Sequence, residues 1–281
     1  LMVLPFIPGI GTSVNDARAW VAIGPINFQP SEFLKLAVLV AAADVLATRK
    51  DEMHDPRRTM LPTMLLALVG AGLCVAQTDL GSAIVLAAIV FAIVFIAGAP
   101  LLPMMAAGSM GAVGALVFVA SSQRRQDRFT AFMDIAAHKD HLSYQTYQAM
   151  IAMAQGGLTG SGVGRGSNKL GEFLPLAHSD FIFAVIAEEL GLVGVVAVIG
   201  CFVLLGYFGV QAALASDRFG QLLAGGITAW LVVQAVINIG GVTGSMPLTG
   251  LTLPFVSFGG SSLLANMTAA GLLLNIARTG S

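Results

Sequence analysis

The stretch from Phe181 to Val210 limits this chain most: it is an apolar run in which Glu188 and Glu189 are the charged residues. A membrane-spanning helix needs about 20 consecutive apolar residues, within a range of roughly 17 to 25. In hydrocarbon every backbone amide and carbonyl must find its partner inside the protein, so such a run is helical. Six further segments repeat the pattern: Phe33 to Thr48, Leu61 to Ala76, Leu80 to Gly98, Leu101 to Ala120, Phe219 to Gly240 and Ser261 to Ala277. The expected fold is all-α, a polytopic transmembrane bundle of about seven spans forming one membrane domain over residues 1–281.

Composition bounds the function. The chain is 56% hydrophobic and 10% charged, whereas an ordinary soluble domain carries about 25% charged residues. Its 33 glycines suit helices that approach closely in lipid. A net charge of −1 argues against a nucleic-acid partner. Cys74 and Cys201 sit in apolar segments without CxxC spacing and read as core or lipid-facing residues. No His, Asp or Glu cluster has metal-ligand spacing and no cofactor motif is evident; a divalent cation is left open. The opening LMVLPFIPGIG lacks an initiator methionine and a basic leader. It reads as the tail of a preceding helix in an N-terminally truncated chain.

Alternating spans sort the connections onto two sides. One side receives RKDEMHDPRR (Arg49 to Arg58), the turn at Gly98 to Pro100, the Asp217-Arg218 loop and the C-terminus. The other receives NDARAWVAIGPINFQPSE (Asn15 to Glu32), QTDLG (Gln77 to Gly81), the long segment Ser121 to Asp180, and TGSMPLTGLTLPFVSFGGSS (Thr243 to Ser262). Four polar stretches on one face predict a composite site. Arg49, Lys50, Arg57, Arg58, Arg218 and Arg278 mark the first side as cytoplasmic by the positive-inside rule. Opposing cations lie mostly in a loop of about 60 residues, where that rule loses force.

Several residues on the polar face could carry chemistry. His178, Ser179 and Asp180 are consecutive, so their side chains diverge and cannot form a hydrolytic triad. Ser179 is expected to cap a helix beginning at Phe181, with Asp180 in its first turn. Carboxylates inside a span usually face the bundle interior or a water-filled cavity. At 100° per residue Glu188 and Glu189 point different ways, predicting that Glu188 lines a cavity below Asp180 while Glu189 pairs with Lys35. Glu32 and Lys35, three apart on one face, are placed to neutralise each other as well. SYQTYQAMIAMAQGG predicts a short helix ended by Gly156 and Gly157. GSGVGRGSNK lacks the ending of a P-loop, leaving a flexible linker or a backbone that approaches an anionic group beside Arg165 and Lys169. The prolines and glycines of Thr243 to Ser262 predict a groove wall. Asn266-Met267-Thr268 has the form of a glycosylation sequon but lies in an apolar helix.

The stretches GPINFQPSEFLKL, QTDLGSAIV, SYQTYQ, GGLTGSGVGRGSNKLGEFLPLAHSDFIFAVIAEELGLVG and NIGGVTGSMPLTGLTLPFVSFGGSSLLAN carry a specific resemblance. Together they resemble the SEDS family of peptidoglycan glycosyltransferases (FtsW, RodA, SpoVE) across nearly the whole chain. PGIGTSVNDARAW and GPINFQPSE are closer to FtsW than to RodA. The resemblance implies about ten spans with a cytoplasmic N-terminus, the first three represented here by the tail of the third, and it places the four polar stretches outside.

The same resemblance implies polymerisation of lipid II into glycan strands in division or elongation, at the outer face of the bacterial cytoplasmic membrane. Asp180, in His178-Ser179-Asp180-Phe181, matches the aspartate proposed as catalytic in the family's HTDF motif. Lys169, Arg165, Arg18, His178, Gln145, Ser257 and Ser261 become the expected substrate-binding residues. Glu32, Lys35, Asp79, Glu188 and Glu189 are expected to shape the cavity. A class B penicillin-binding protein with transpeptidase activity and other division or elongation proteins are the implied partners. The sequence departs from the family at Ala19, which separates Arg18 from Trp20, at Leu176 in place of a glutamate, and in AFMDIAAHKDH, which lacks the usual DP motifs. A lipid-precursor flippase or proton-coupled transporter, with Glu188, Glu189 and Asp44 as a relay, would instead need access from both faces. A scaffold recruiting division proteins would need no catalytic carboxylate.

Overall fold

The computed structural model describes residues 1–7, 11–14, 17–23, 26–52, 55, 57–138, 140–166 and 178–280. They form two compact units, one of residues 1–104, 204–233 and 259–281, the other of residues 105–203 and 234–258.

In the first unit a three-stranded antiparallel sheet, β1 (Gly11–Val14), β2 (Ala17–Ile23) and β3 (Ile26–Phe28), precedes the helices. Thr12 pairs with Trp20 and Val21 with Phe28. The all-α expectation missed this sheet because its strands are short and its alternation is buried among glycines and prolines. α1 (Pro30–Thr48) follows, with proline at its entry, where the missing N–H is harmless. α1 packs against α2 (Met60–Ala76), α3 (Leu80–Ile96) and α9 (Gly260–Thr279). Asp79 caps α3 by accepting the Ser82 amide at 3.0 Å. Leu39, Leu46, Leu86, Ile89, Ile93, Leu222 and Trp230 are buried in this unit.

The second unit holds α5 (Gln123–Met133), α6 (Tyr144–Gly156), the start of α7 (Ile182–Ala215) and the end of α8 (Arg218–Val242). The expected short helix is α6, terminated by Gly157 at φ 55°. Phe181, Phe183, Ala149, Ala152, Ala235, Val242 and Leu253 form its core. α4 (Leu101–Ala120), α7, α8 and α9 are long and apolar enough to cross a membrane. α2 and α3, at 17 residues each, reach about 26 Å at 1.5 Å per residue. Every expected span is a helix, with boundaries shifted by a few residues except in α7, which runs five residues past the expected end at Val210 to Ala215.

α7 is broken at Gly191, where φ is 65° and ψ −158°. In an unbroken helix the carbonyls of Glu188 and Glu189 would accept from the amides of Leu192 and Val193. Here the glycine loop after α6 satisfies both halves of the break. The amides of Ser161 and Gly162 donate to the carbonyls of Glu188 and Glu189 at 2.9 and 3.0 Å. The amides of Leu192 and Val193 donate to the carbonyls of Gly157 and Leu158 at 3.0 and 3.3 Å. The loop sits so close that a Cβ at Gly160 would stand 2.1 Å from the Glu189 carbonyl oxygen, and one at Gly191 2.4 Å from the Gly160 nitrogen. Gly160 itself is at φ 77°, so no other residue fits by space or by conformation.

Gly191→Ala combines a left-handed backbone with that collision. It is expected to cost more than the roughly 1–3 kcal/mol of conformational strain alone. A lowered thermal unfolding midpoint of the purified protein in detergent is the outcome that checks this.

Candidate functional site

Asp180 lies in the turn just before α7, its residue half-buried. Three backbone ties hold that turn. The Asn238 amide on α8 donates to the Asp180 carbonyl at 2.9 Å and to the Leu251 carbonyl at 2.6 Å. The Ser257 hydroxyl donates to the Ser179 carbonyl at 2.7 Å and accepts the Leu253 amide at 2.7 Å. The Phe258 amide donates to the His178 carbonyl at 2.9 Å. Gln234, one turn before Asn238, donates to the Thr252 carbonyl at 3.0 Å. The loop from Thr243 to Phe258 and the entry of α7 are therefore one framework. The Asp180 carboxylate faces Gly250, where a Cβ would lie 3.8 Å from Oδ2. His178 is exposed and packs edge-on against Phe258, ring centroids 5.7 Å apart.

Ser179 does not cap α7. Its hydroxyl donates to Asp180 Oδ1 at 2.9 Å, and α7 begins at Ile182, two residues past Asp180. Phe181 supplies the carbonyl that receives the Ala184 amide at 2.9 Å, so the helix starts beyond the reach of the Ser179 side chain. Burial raises the Asp180 carboxyl from its ordinary 3.8 to about 6, and the Ser179 hydrogen bond opposes this by less.

Both glutamates meet the glycine loop. Glu189 accepts from the amides of Gly164 at 2.9 Å and Gly166 at 3.3 Å, so both its oxygens are engaged by the glycine loop of its own unit. Glu188 also faces this loop: a Cβ at Gly166 would stand 3.0 Å from its Oε2. A regular wheel sends adjacent residues to different surroundings, but the loop wraps the broken helix and meets both. Arg165 is exposed between the two amides that Glu189 holds. Gln145 is half-buried in the first turn of α6. Lys169 and Leu176 lie outside the described residues.

In the first unit Lys35, fully buried, stands 2.9 Å from both oxygens of Glu32 and 5.2 Å from the Trp230 ring centre. Asp79 accepts from Gln29 Nε2 at 3.1 Å and the Ser31 hydroxyl at 2.9 Å. Ser261 accepts the Gln29 amide at 3.0 Å, so its hydroxyl, like that of Ser257, is engaged by backbone. Arg18 is exposed on β2. Stretches far apart in sequence thus do meet: three of the four through Gln29, Asp79 and Ser261, and the third and fourth again around Asp180. Among the described residues no three His, Cys, Asp or Glu side chains gather as a metal site.

The family model described as "Cell cycle protein", FtsW/RodA/SpoVE, matches residues 1–281. The chain belongs to that family. It is 39% identical over 277 residues to a probable peptidoglycan glycosyltransferase FtsW of Trichlorobacter lovleyi, covering 98% of this chain and 72% of that protein. Among solved structures it is similar to a chain described under "Structural coordination of polymerization and crosslinking by a peptidoglycan synthase complex", at 33% identity, TM-score 0.80, covering 99% and 78% of the two chains. It is likewise similar to the rod shape determining protein RodA of Thermus thermophilus, at 33% identity, TM-score 0.68, covering 99% and 74%. The polytopic helical membrane architecture is that of the family.

For this FtsW/RodA/SpoVE chain, sequence reasoning passed over Gln234 and Asn238. The signal was available: two amide side chains four apart on one face of an apolar span are costly in lipid and must bond to protein. Asn238→Ala removes both of its bonds and leaves buried carbonyls unpaired. The expected cost is about 1–3 kcal/mol, read as a lowered midpoint in thermal unfolding, with Asp180 loosened from its position.

Proposed function

We propose that the protein is a peptidoglycan glycosyltransferase that polymerises lipid II at the outer face of the bacterial cytoplasmic membrane, with Asp180 as general base. One observation carries the residue assignment. Asp180 is a carboxylate fixed by backbone ties at the head of a span and shielded enough to titrate near 6. A base poised near the working pH combines the right protonation state with useful driving force. The family membership and the names of the relatives support the reaction class.

In the reaction the acceptor sugar hydroxyl attacks the anomeric carbon of a lipid-linked donor. Its proton passes to Asp180 as the bond between that carbon and the phosphate oxygen breaks. Undecaprenyl pyrophosphate leaves with the electron pair. Cations facing the developing charge stabilise the transition state more than the ground state; Arg165, Lys169 and Arg18 are assigned that role, with His178 and Gln145 at the sugar. Ser257 acts at one remove, holding the turn that presents Asp180. The crosslinking named for the similar synthase complex supports a class B penicillin-binding protein as transpeptidase partner. Glu189, which a proton relay would need free, has its carboxylate bonded to amides, and that favours the transferase over a transporter.

Asp180→Asn should leave a folded protein that binds lipid II and lowers glycan synthesis by a factor on the order of 10² to 10⁴. Labelled lipid II incubated with the full-length protein and its transpeptidase reads this as loss of polymer on a gel. Full polymerisation by the variant overturns the assignment. Because the Asp180 carboxyl is raised to about 6, the native site holds its proton until the pH passes that value. Activity is therefore expected to rise with pH through about 6 and then level off, measured as initial rate against pH; a rate flat from pH 5 to 8 contradicts it.

A further inference from the structure

We infer that Glu189 is a positioning residue for this reaction: through the amides of Gly164 and Gly166 it fixes the turn that presents Arg165. The inference rests on the glycosyltransferase reading above. Successive backbone amides in a glycine-rich turn make a concavity that attracts an anion. Here the protein supplies that anion itself. The Glu189 carboxylate accepts from Gly164 at 2.9 Å and from Gly166 at 3.3 Å, bracketing Arg165 between two charge-assisted bonds.

Among the described residues Arg165 is otherwise tied locally. Its own amide donates to the Gly162 carbonyl at 3.0 Å, closing a turn. A Cβ at Gly162 would lie 3.4 Å from its Cδ, so the aliphatic stem lies over that glycine while the residue stays exposed. Upstream the loop is anchored by the carbonyls of Glu188 and Glu189 through Ser161 and Gly162. One glutamate thus grips the loop twice, by its main-chain carbonyl before the turn and by its side chain across it. The anion nest is filled, so the guanidinium outside it, rather than the amides, is the group offered to a pyrophosphate. Removing the carboxylate would take this acceptor from both amides and loosen the turn that carries Arg165.

The test is a double-mutant cycle on the full-length protein with labelled lipid II. Glu189→Gln keeps the size but replaces one acceptor oxygen by a donor. It is expected to lower kcat/KM about ten- to a hundredfold, the effect of losing one or two charge-assisted hydrogen bonds. Glu189→Asp, which keeps the carboxylate, should recover part of that loss. Gly166→Ala, whose Cβ would press to 3.0 Å on both glutamate side chains, should move activity the same way by less. In an Arg165→Ala background Glu189→Gln should change kcat/KM by less than about twofold, because the group it positions is already gone. Independent, multiplying losses overturn the inference, as does a Glu189→Gln variant with unaltered kcat/KM. If the wild-type protein makes no glycan under these conditions, it is the transferase reading that fails, and the two failures are told apart.

Discussion

The break in α7 at Gly191 is the constraint on which the second unit depends. A span interrupted within its third turn exposes carbonyls on one side and amides on the other, and in hydrocarbon neither can be left to water. The glycine loop answers both sets with its own amides and carbonyls, in the manner of a strand laid into a gap. That demand explains why the loop is rich in glycine. Backbone must touch backbone, and at Gly160 a side chain would fall within 2.1 Å of a carbonyl oxygen. The same demand explains why the loop between Ser121 and Asp180 is long: it must leave α4, form α5 and α6, and return to fill the break.

Beside the break, Asp180 is held by a different logic. Its position is set by main-chain ties from Asn238, Ser257 and Phe258, none of which touches its carboxylate. The base role proposed for Asp180 needs a residue rigid in place with an oxygen left for substrate, and while Oδ1 accepts the Ser179 hydroxyl, Oδ2 faces Gly250. Backbone anchoring gives the rigidity without occupying the carboxylate. The cost is burial without a neutralising partner among the described residues, and the raised carboxyl is the result. The first unit makes the opposite choice: Lys35 and Glu32 are buried together and satisfy each other. Such a pair adds little net stability against an apolar alternative but is costly to break singly, which suits a fixed strut rather than a reactive group.

Much of this was legible in the sequence because lipid simplifies the problem. Every expected span is a helix, since length and apolarity leave no other choice. Pairing Lys35 with Glu32 followed from three-residue spacing. The errors share one cause. Ser179 was assigned to a cap, and the bonds of Glu189 to Gly164 and Gly166 were not foreseen, because α7 was treated as a regular helix from Phe181 onward. The sheet of β1 to β3 escaped for a similar reason, because short strands carry a weak periodic signal beside strong apolar runs.

By itself, then, the sequence determined that the chain is a helical membrane protein, where its apolar helices fall, and that Asp180 stands just before one of them. Those features follow from local composition and the thickness of a bilayer. Only the tertiary structure decided what the carboxylates near that head do. A glycine permits a break without requiring one, and whether α7 opens at Gly191 depends on a loop some thirty residues earlier arriving to satisfy the freed groups. That is a matter of packing between distant segments, and it is what turned Glu189 toward the glycine loop and left Asp180 facing Gly250.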